Sequence, residues 1–413
     1  MAYLHRLIET RLEGLLDDVP AVLLTGPRAC GKTTTARRYA RSVIQLDDPA
    51  VGGIFREAPD VALRDVSTPV LLDEWQAAPE VIGAIKRTVD RNPEPGQFIL
   101  TGSASIDLAG PTWPGTGRVI RLSMSGLTER EVIANIDGLS FVDAVLENPE
   151  HLDVSTTLDV ADYVDLALRS GFPEPAIRQR APTRIDWLDS YLEECFARDI
   201  PALRAVRDPS RLRRLFVALA ANTAGVVDEK TLHEAAHLDR KTALTYESLF
   251  ESVGITEQAP SFVGNQLKRL TERPKRYVSD GGLVGAALSL DKETVLRDGN
   301  LLGRLIDTFV FAQMRGELIR SASPRARLYH LRSEAGRHEI DIVVDTGPRG
   351  IIAVEVKAAG APTSSDARHL RWFKAQITDR PVIAVVLHTG TRSYSLDDGV
   401  LALPIASLWL SGR

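Results

Sequence analysis

The stretch from Val22 to Thr35, VLLTGPRACGKTTT, constrains this chain more than any other. An apolar run leads into a loop framed by Gly26 and Gly31 and closed by Lys32-Thr33, matching the spacing G-x-x-x-x-G-K-[ST]. Glycine at the frame positions lets the backbone turn tightly and aim its N–H groups at one anion. The helix-forming run TTTARRYARS that follows offers the positive end of its dipole to the same charge. The spacing therefore predicts a strand, a polyphosphate-binding loop of Gly26, Pro27, Arg28, Ala29, Cys30, Gly31, Lys32, Thr33 and Thr34, and a helix. Lys32 is expected to reach the β- and γ-phosphates of ATP, and Thr33 to give a hydroxyl to Mg²⁺.

A second signal is TPVLLDE, Thr68 to Glu74, a buried-strand pattern that ends in two acids. Parallel α/β sheets gather ligands at the carboxyl ends of their strands. Asp73 is thus placed to hold Mg²⁺ through water and Glu74 to orient or deprotonate the attacking water. Two solvated acids closing a strand is the plainer reading. Ser42 to Leu46 is a further strand candidate; Asp47 and Asp48 after it suit either the nucleotide crevice or an ordinary turn before Pro49. A helix from Pro79 to Asp90 and a strand from Gln97 to Leu100 follow, ending in Thr101-Gly102-Ser103, where a polar side chain is a candidate γ-phosphate sensor. Arg118, ahead of the strand VIRLSM, is either an arginine finger for a neighbouring subunit or a surface cation.

The 413 residues suit about two to four domains. The formal charge of −5 supplies no global basic field, so any nucleic-acid surface must be local. Cys30 and Cys195 make no disulfide framework, no run of about 18 apolar residues occurs, and the N-terminus lacks a leader pattern. A soluble cytoplasmic protein with no membrane partner is expected. Leu4, Leu7, Ile8, Leu12, Leu15 and Leu16 recur at helical spacing and predict a short structural helix before the first strand.

The segments GPRACGKTT, QLDDPA, VLLDEWQAAPE, FILTGSAS, GFPEPA (Gly171 to Ala176) and PKRYVSDGGL (Pro274 to Leu283) resemble those of a widespread family of prokaryotic AAA-type ATP-binding proteins. Members carry a C-terminal domain of unknown function, and the resemblance runs over essentially the whole chain. It implies ATP binding and hydrolysis, with a helical segment from Val160 to Phe196 covering the nucleotide domain as a lid. Gly171 ends the first helix there as a C-cap glycine.

Beyond the lid lies a basic cluster, Arg204, Arg207, Arg211, Arg213 and Arg214, on a helix from about Ser210 to Asn222. Val226 to Leu238 and Asp239 to Val253 read as two helices joined by a short turn, with strands near Ile255 and Tyr277 as a β-wing. A winged helix-turn-helix of this kind presents Arg240, Lys241 and Tyr246 to a DNA groove, and Lys268, Arg269, Arg273, Lys275 and Arg276 to phosphates. Packing between domains explains the same elements. His233-Glu234-Ala235-Ala236-His237 has the H-E-x-x-H spacing of a zinc site, with Glu257 downstream as a third ligand; its apolar neighbours explain it as a packing helix.

From about Asp298 the rhythm changes to a long helix (Asn300 to Arg320), strands Arg327 to Leu331, His338 to Asp345 and Gly350 to Lys357, a helix (Ser364 to Gln376) and a strand (Pro381 to Leu387). Alternation puts Glu355 and Lys357 on one strand face. This resembles the restriction-endonuclease-like fold of the PD-(D/E)XK class, with Asp307, Asp341 and Glu355 as candidate metal ligands and Lys357 beside them. A degenerate scaffold that only binds fits the same pattern.

The expected fold is α/β, with three parts. They are a P-loop ATPase with a parallel sheet over residues 1–150, a helical lid and winged-helix region over 151–297, and a PD-(D/E)XK-like α/β domain over 298–413. The expected function is a Mg²⁺-dependent ATPase acting on or regulated by nucleic acid, with ATP/ADP and DNA as partners and a homo-oligomer as the candidate assembly. The alternatives are a nucleotide-controlled switch whose C-terminal domain binds a partner, and an ATP-gated metal-dependent nuclease.

Overall fold

A computed structural model describes residues 3–411 except 103–114, 179, 205, 207, 263–271, 334–336 and 397–398. Ser103, Arg207, Lys268 and Arg269 therefore lie outside the described residues.

Five short strands, β1 (Ala21–Thr25), β2 (Ser42–Gln45), β3 (Val70–Asp73), β4 (Phe98–Thr101) and β5 (Val119–Ser123), form one parallel sheet in the order β2-β3-β4-β1-β5. The central strands read as unbroken apolar runs because both faces are covered. Val22, Leu24, Leu71 and Ile99 join Leu12 of the Glu9–Asp18 helix on one side. Leu23, Leu72 and Leu100 join Ile82 and Ile85 of the Val81–Arg91 helix on the other. Since all five strands run the same way, the loop after β1, Asp73 at the end of β3 and Thr101 at the end of β4 meet at one sheet edge. This is the P-loop NTPase fold. Asp48 proves to be turn chemistry, accepting from Ala50 N at 2.9 Å to cap the Pro49–Glu57 helix.

The central segment contributes helices Val160–Arg169, Ala181–Glu194, Pro209–Ala221, Glu229–Ala235 and Arg240–Val253, then an antiparallel hairpin of β6 (Thr256–Ala259) and β7 (Lys275–Val278). One expectation is corrected: Gly171 is not the helix cap. Ser170 takes the left-handed position (φ 75°), and Gly171 is small because a Cβ there would lie 2.6 Å from the Leu127 carbonyl oxygen.

The C-terminal sheet holds β8 (Arg327–Ser333), β9 (His338–Asp345), β10 (Ile351–Lys357), β11 (Val382–His388), β12 (Tyr394–Leu396) and β13 (Val400–Pro404), in the order β12-β13-β11-β10-β9-β8. The last two strands lie beyond those anticipated. The 22-residue helix Gly299–Arg320 packs Val310 and Met314 against Ile342 and Val354, while the Arg368–Gln376 helix packs Leu370 and Phe373 against Val343 and Ala353 on the opposite face. The pairing Tyr329↔Val343 is followed by Leu331↔Ile340, so Asp341 and Ile342 share a β-bulge opposite His330. The largest apolar core runs from Phe141 through Phe250 and Tyr277 to Ile342 and Trp409, so no break in packing marks residues 297 and 298.

Candidate nucleotide site and a buried charged cluster

The loop after β1 is built as its glycines require. Gly26 has φ +152°, and a Cβ there would sit 2.1 Å from the Met124 carbonyl oxygen; Gly31 has φ +101° and opens the Lys32–Ala36 helix. Lys32 arches back over the loop, its Nζ donating to the carbonyls of Gly26 (2.9 Å) and Pro27 (2.8 Å). Thr33 Oγ1 donates to Asp73 Oδ1 at 2.8 Å, and Thr101 donates to the same oxygen. That pairing holds the Asp73 carboxylate and leaves the Thr33 hydroxyl's lone pairs for a metal. Glu74 follows in a left-handed conformation (φ 52°) that turns the chain into the Trp75–Ala77 turn. Burial raises its carboxyl above the usual glutamate range, while Gln76 donates to it and Lys32 and Arg28 pull the other way.

Gly31, Lys32, Thr33 and Glu74 line a cavity of about 640 Å³ together with Tyr3, Thr34, Pro173 and Trp187. Pro173 belongs to the GFPE segment and Trp187 to the Ala181–Glu194 helix, so the lid region forms one wall. Cys30 is fully buried against Met124 and shapes the loop from beneath.

Arg6, Asp199, Tyr191 and Gly254 bear on this site and escaped the sequence reading. Arg6, buried ahead of the first helix, donates Nη1 to Cys30 O (2.8 Å) and Nη2 to Ser125 O (2.7 Å), and its Nε meets Glu131 at 2.9 Å. It props the phosphate loop from inside. Arg28 pairs with Asp199, and its carbonyl accepts from the Tyr191 hydroxyl at 3.3 Å. Pro27 packs on Gly254, where a Cβ would lie 2.9 Å from Pro27 Cγ. Arg118 stands apart from this site: it precedes β5, which pairs with β1 from Ala21↔Val119 onward, and its Nε meets Asp90 at 2.8 Å. It therefore lies at the sheet edge away from the phosphate loop of its own chain.

The expected DNA face is partly overturned. Lys275 and Arg276 are 1% and 8% exposed, and Tyr246 packs into the core. Arg276 Nε meets Glu247 at 2.9 Å. Arg240 and Lys241 are exposed, Arg240 beside Glu229 at 3.4 Å; Arg273 meets Asp228 at 2.8 Å. The H-E-x-x-H spacing also dissolves, because the helix ends at Ala235 and His237 turns left-handed (φ 53°), off the face of His233. His233 Nε2 faces Glu247 at 3.3 Å, and Glu257 pairs with Arg315.

The C-terminal acids do converge, around a cation that the metal reading did not foresee. Lys275 Nζ lies 2.5 Å from Asp307 Oδ2 and 2.9 Å from Asp341 Oδ1. Tyr277 donates to Asp307 Oδ1 (3.2 Å), the Val356 amide donates to Asp341 Oδ2 (3.0 Å), and Lys357 meets Glu355 Oε1 at 2.8 Å. Burial and the neighbouring Asp341 charge push the Glu355 carboxyl up to about 8. Asp307 is pushed up to about 7 by burial, against the pull of Lys275. Asp341 stays low despite burial because Lys275 and the Val356 amide favour its ionised form. At the expected metal ligands an ammonium already bonds two of the three acids, Asp307 and Asp341, and among the described residues no group of three His, Cys, Asp or Glu side chains is placed to hold a metal ion.

Residues 18–133 match the model of an AAA domain, residues 160–294 a domain of unknown function (DUF8612), and residues 302–408 a second domain of unknown function (DUF4143). The chain is an AAA-type P-loop protein that carries a C-terminal DUF4143 domain. Uncharacterized proteins of Mycobacterium bovis and Mycobacterium tuberculosis are each 27% identical to it over 407 residues, covering 97% of this chain and 84% of theirs. Among solved structures it is similar to a Walker-type ATPase of Pyrococcus abyssi (13% identity, TM-score 0.39, 68% of this chain and 95% of that one). It is also similar to a variant of RuvB from Thermotoga maritima (18%, TM-score 0.30, 66% and 90%). Among the described residues no helix is long and apolar enough to cross a membrane.

Proposed function

We propose that this protein is a Mg²⁺-dependent ATPase that works as a nucleotide-controlled switch. The observation that carries the reading is one glycine-framed loop on which Lys32 folds back and Thr33 meets Asp73, with Lys32, Thr33 and Glu74 lining one cavity. Thr33 and, through water, Asp73 would hold the Mg²⁺ that comes with ATP, which supplies charge neutralisation on the phosphates. Lys32 leaves the carbonyls of Gly26 and Pro27 for the β- and γ-phosphates. Glu74 orients the attacking water, and its raised carboxyl suits a group that takes a proton. The switch reading is favoured over nucleic-acid action because Lys275, Arg276 and Tyr246 are buried, leaving a reduced basic face.

The test is ATP turnover and binding in three proteins. Lys32→Ala should lose nucleotide binding by more than an order of magnitude. Glu74→Gln should bind as wild type while kcat falls about 10²- to 10⁴-fold, the usual weight of a general base. Wild-type turnover in Glu74→Gln would remove Glu74 from this role. Nucleic acid is the second reading, supported by exposed Arg240 and Lys241 at the start of their helix. Duplex DNA should then stimulate turnover, and Arg240→Ala with Lys241→Ala should lower the salt slope of binding by about one unit for each lost phosphate contact. No binding by the wild type would leave the switch alone.

A further inference from the structure

A chain whose C-terminal sheet brings an aspartate and an E-x-K together invites a divalent metal there. All four carboxylate oxygens of Asp307 and Asp341 are engaged: one on each by Lys275, the others by the Tyr277 hydroxyl and the Val356 amide. Lys275 is 1% exposed and comes from β7, outside the C-terminal sheet. The bulge at Asp341 and Ile342 lets Asp341 meet both the Val356 amide and this ammonium. Glu355 gives one oxygen to Lys357; its Oε2 is buried with no hydrogen-bond partner among the described residues.

We infer that the Lys275 ammonium is the resident cation of this acid cluster, standing where a divalent metal would stand and excluding it. An ammonium bonds carboxylates at the distances seen here, whereas Mg²⁺ draws oxygens to about 2.0–2.1 Å and demands near-octahedral geometry. Two lysines already face three acids, so a doubly charged ion would enter beside a buried positive charge. While Lys275 is in place, the C-terminal domain does no metal-assisted phosphodiester chemistry, and the cluster instead fastens the hairpin to the C-terminal sheet.

The experiment uses the full chain without nucleotide, so that it stands or falls independently of ATP turnover. Mn²⁺ is titrated by the loss of its free electron paramagnetic resonance signal. The wild type should show no site that depends on Asp341 at millimolar Mn²⁺. Lys275→Ala should gain one site, together with a rise of several degrees in melting temperature on adding Mn²⁺, and both should vanish when Asp341→Ala is added. Failure of folded Lys275→Ala to gain a site overturns the inference. Should Lys275→Ala fail to fold, Lys275→Met, which keeps the length of the side chain without its charge, is titrated in its place and is expected to gain the same site. A wild-type Mn²⁺ site that survives Asp73→Ala and is lost in Asp341→Ala also overturns it, because metal and ammonium would then share the cluster.

Discussion

Gly254 ends the Arg240–Val253 helix and touches Pro27 of the phosphate loop, so Gly254→Ala reaches the nucleotide site from a residue far along the chain. Two effects are separable. A left-handed alanine costs about 1–2 kcal/mol wherever φ is near Gly254's +78°. The new Cβ would also lie 2.9 Å from Pro27 Cγ and 3.1 Å from Cδ, well inside van der Waals contact, and overpacking of this kind costs about 1–3 kcal/mol. Gly117 supplies the control: its φ is +76° and a Cβ there meets nothing within 4 Å among the described residues. Gly117→Ala should therefore lose only the strain and bind ATP normally. If relief of the Gly254 clash displaces Pro27 and spoils about half of that contact energy for the bound state, ATP affinity falls about two- to tenfold, or roughly 0.5–1.5 kcal/mol. Fluorescent ATP-analogue titration beside denaturant unfolding measures both quantities. Wild-type affinity in Gly254→Ala, with a stability loss equal to that of Gly117→Ala, would refute the idea that this helix end bears on the loop.

Two further outcomes concern stability. Arg130 is fully buried, with Nε 2.7 Å from Glu317 and Nη2 2.9 Å from the Leu408 carbonyl, so Arg130→Ala should cost about 3–5 kcal/mol by stranding Glu317. Replacing both partners with methionine should recover most of that loss in denaturant unfolding, and no recovery would show that the carbonyl contacts carry the energy. The second outcome is a fall in stability as pH rises from about 6.5 to 8. Asp307 and Glu355 have folded-state values raised to about 7 and 8, so their protonated forms favour the fold and that contribution is lost as pH passes through those values. Burial lowers His330 and His388 to about 4, so their opposite contribution is complete above about pH 6.5 and does not mask the fall. Asp307→Asn should flatten the slope; an unchanged slope would place its origin elsewhere.

The phosphate loop was legible because its chemistry fixes both residue type and spacing, and strand direction put Asp73 at the sheet edge that carries the loop; its direct bond from Thr33 was not foreseen. Arg6 was not legible. In sequence it is one cation in an amphipathic run, and its partners, Cys30, Ser125 and Glu131, are joined to it only by the fold. Lys275 was misassigned for a related reason: Pro274-Lys275-Arg276 sits among basic residues, and charge runs ordinarily face solvent. Its neighbours held a clue, since Tyr277 and Val278 continue an apolar strand and every residue of β7 is buried. The convergence of Glu355 and Lys357 was legible because strand alternation is local, whereas the bulge beside Asp341 is a register shift that no local pattern announces.

The segment that carries Lys275 continues directly into Ser279 and Asp280, and the two halves serve different sites. Lys275 and Tyr277 hold the C-terminal acids. Ser279 donates to the Gly254 carbonyl at 2.8 Å, and Gly254 abuts Pro27. Asp280 accepts from the Gly171 amide at 2.7 Å and from Gly282 at 2.8 Å, and Gly171 packs on the backbone of Gly126 and Leu127 beside the nucleotide sheet. Burial raises the Asp280 carboxyl, so its backbone donors are what keep it fixed in place. One short strand and the turn after it thus touch the phosphate loop's neighbours at one end and the acid cluster at the other. Gly254 and Gly171 have no room for even one added carbon. That tightness is the physical reason the PKRYVSDGGL and GFPE segments are fitted to each other rather than to the solvent.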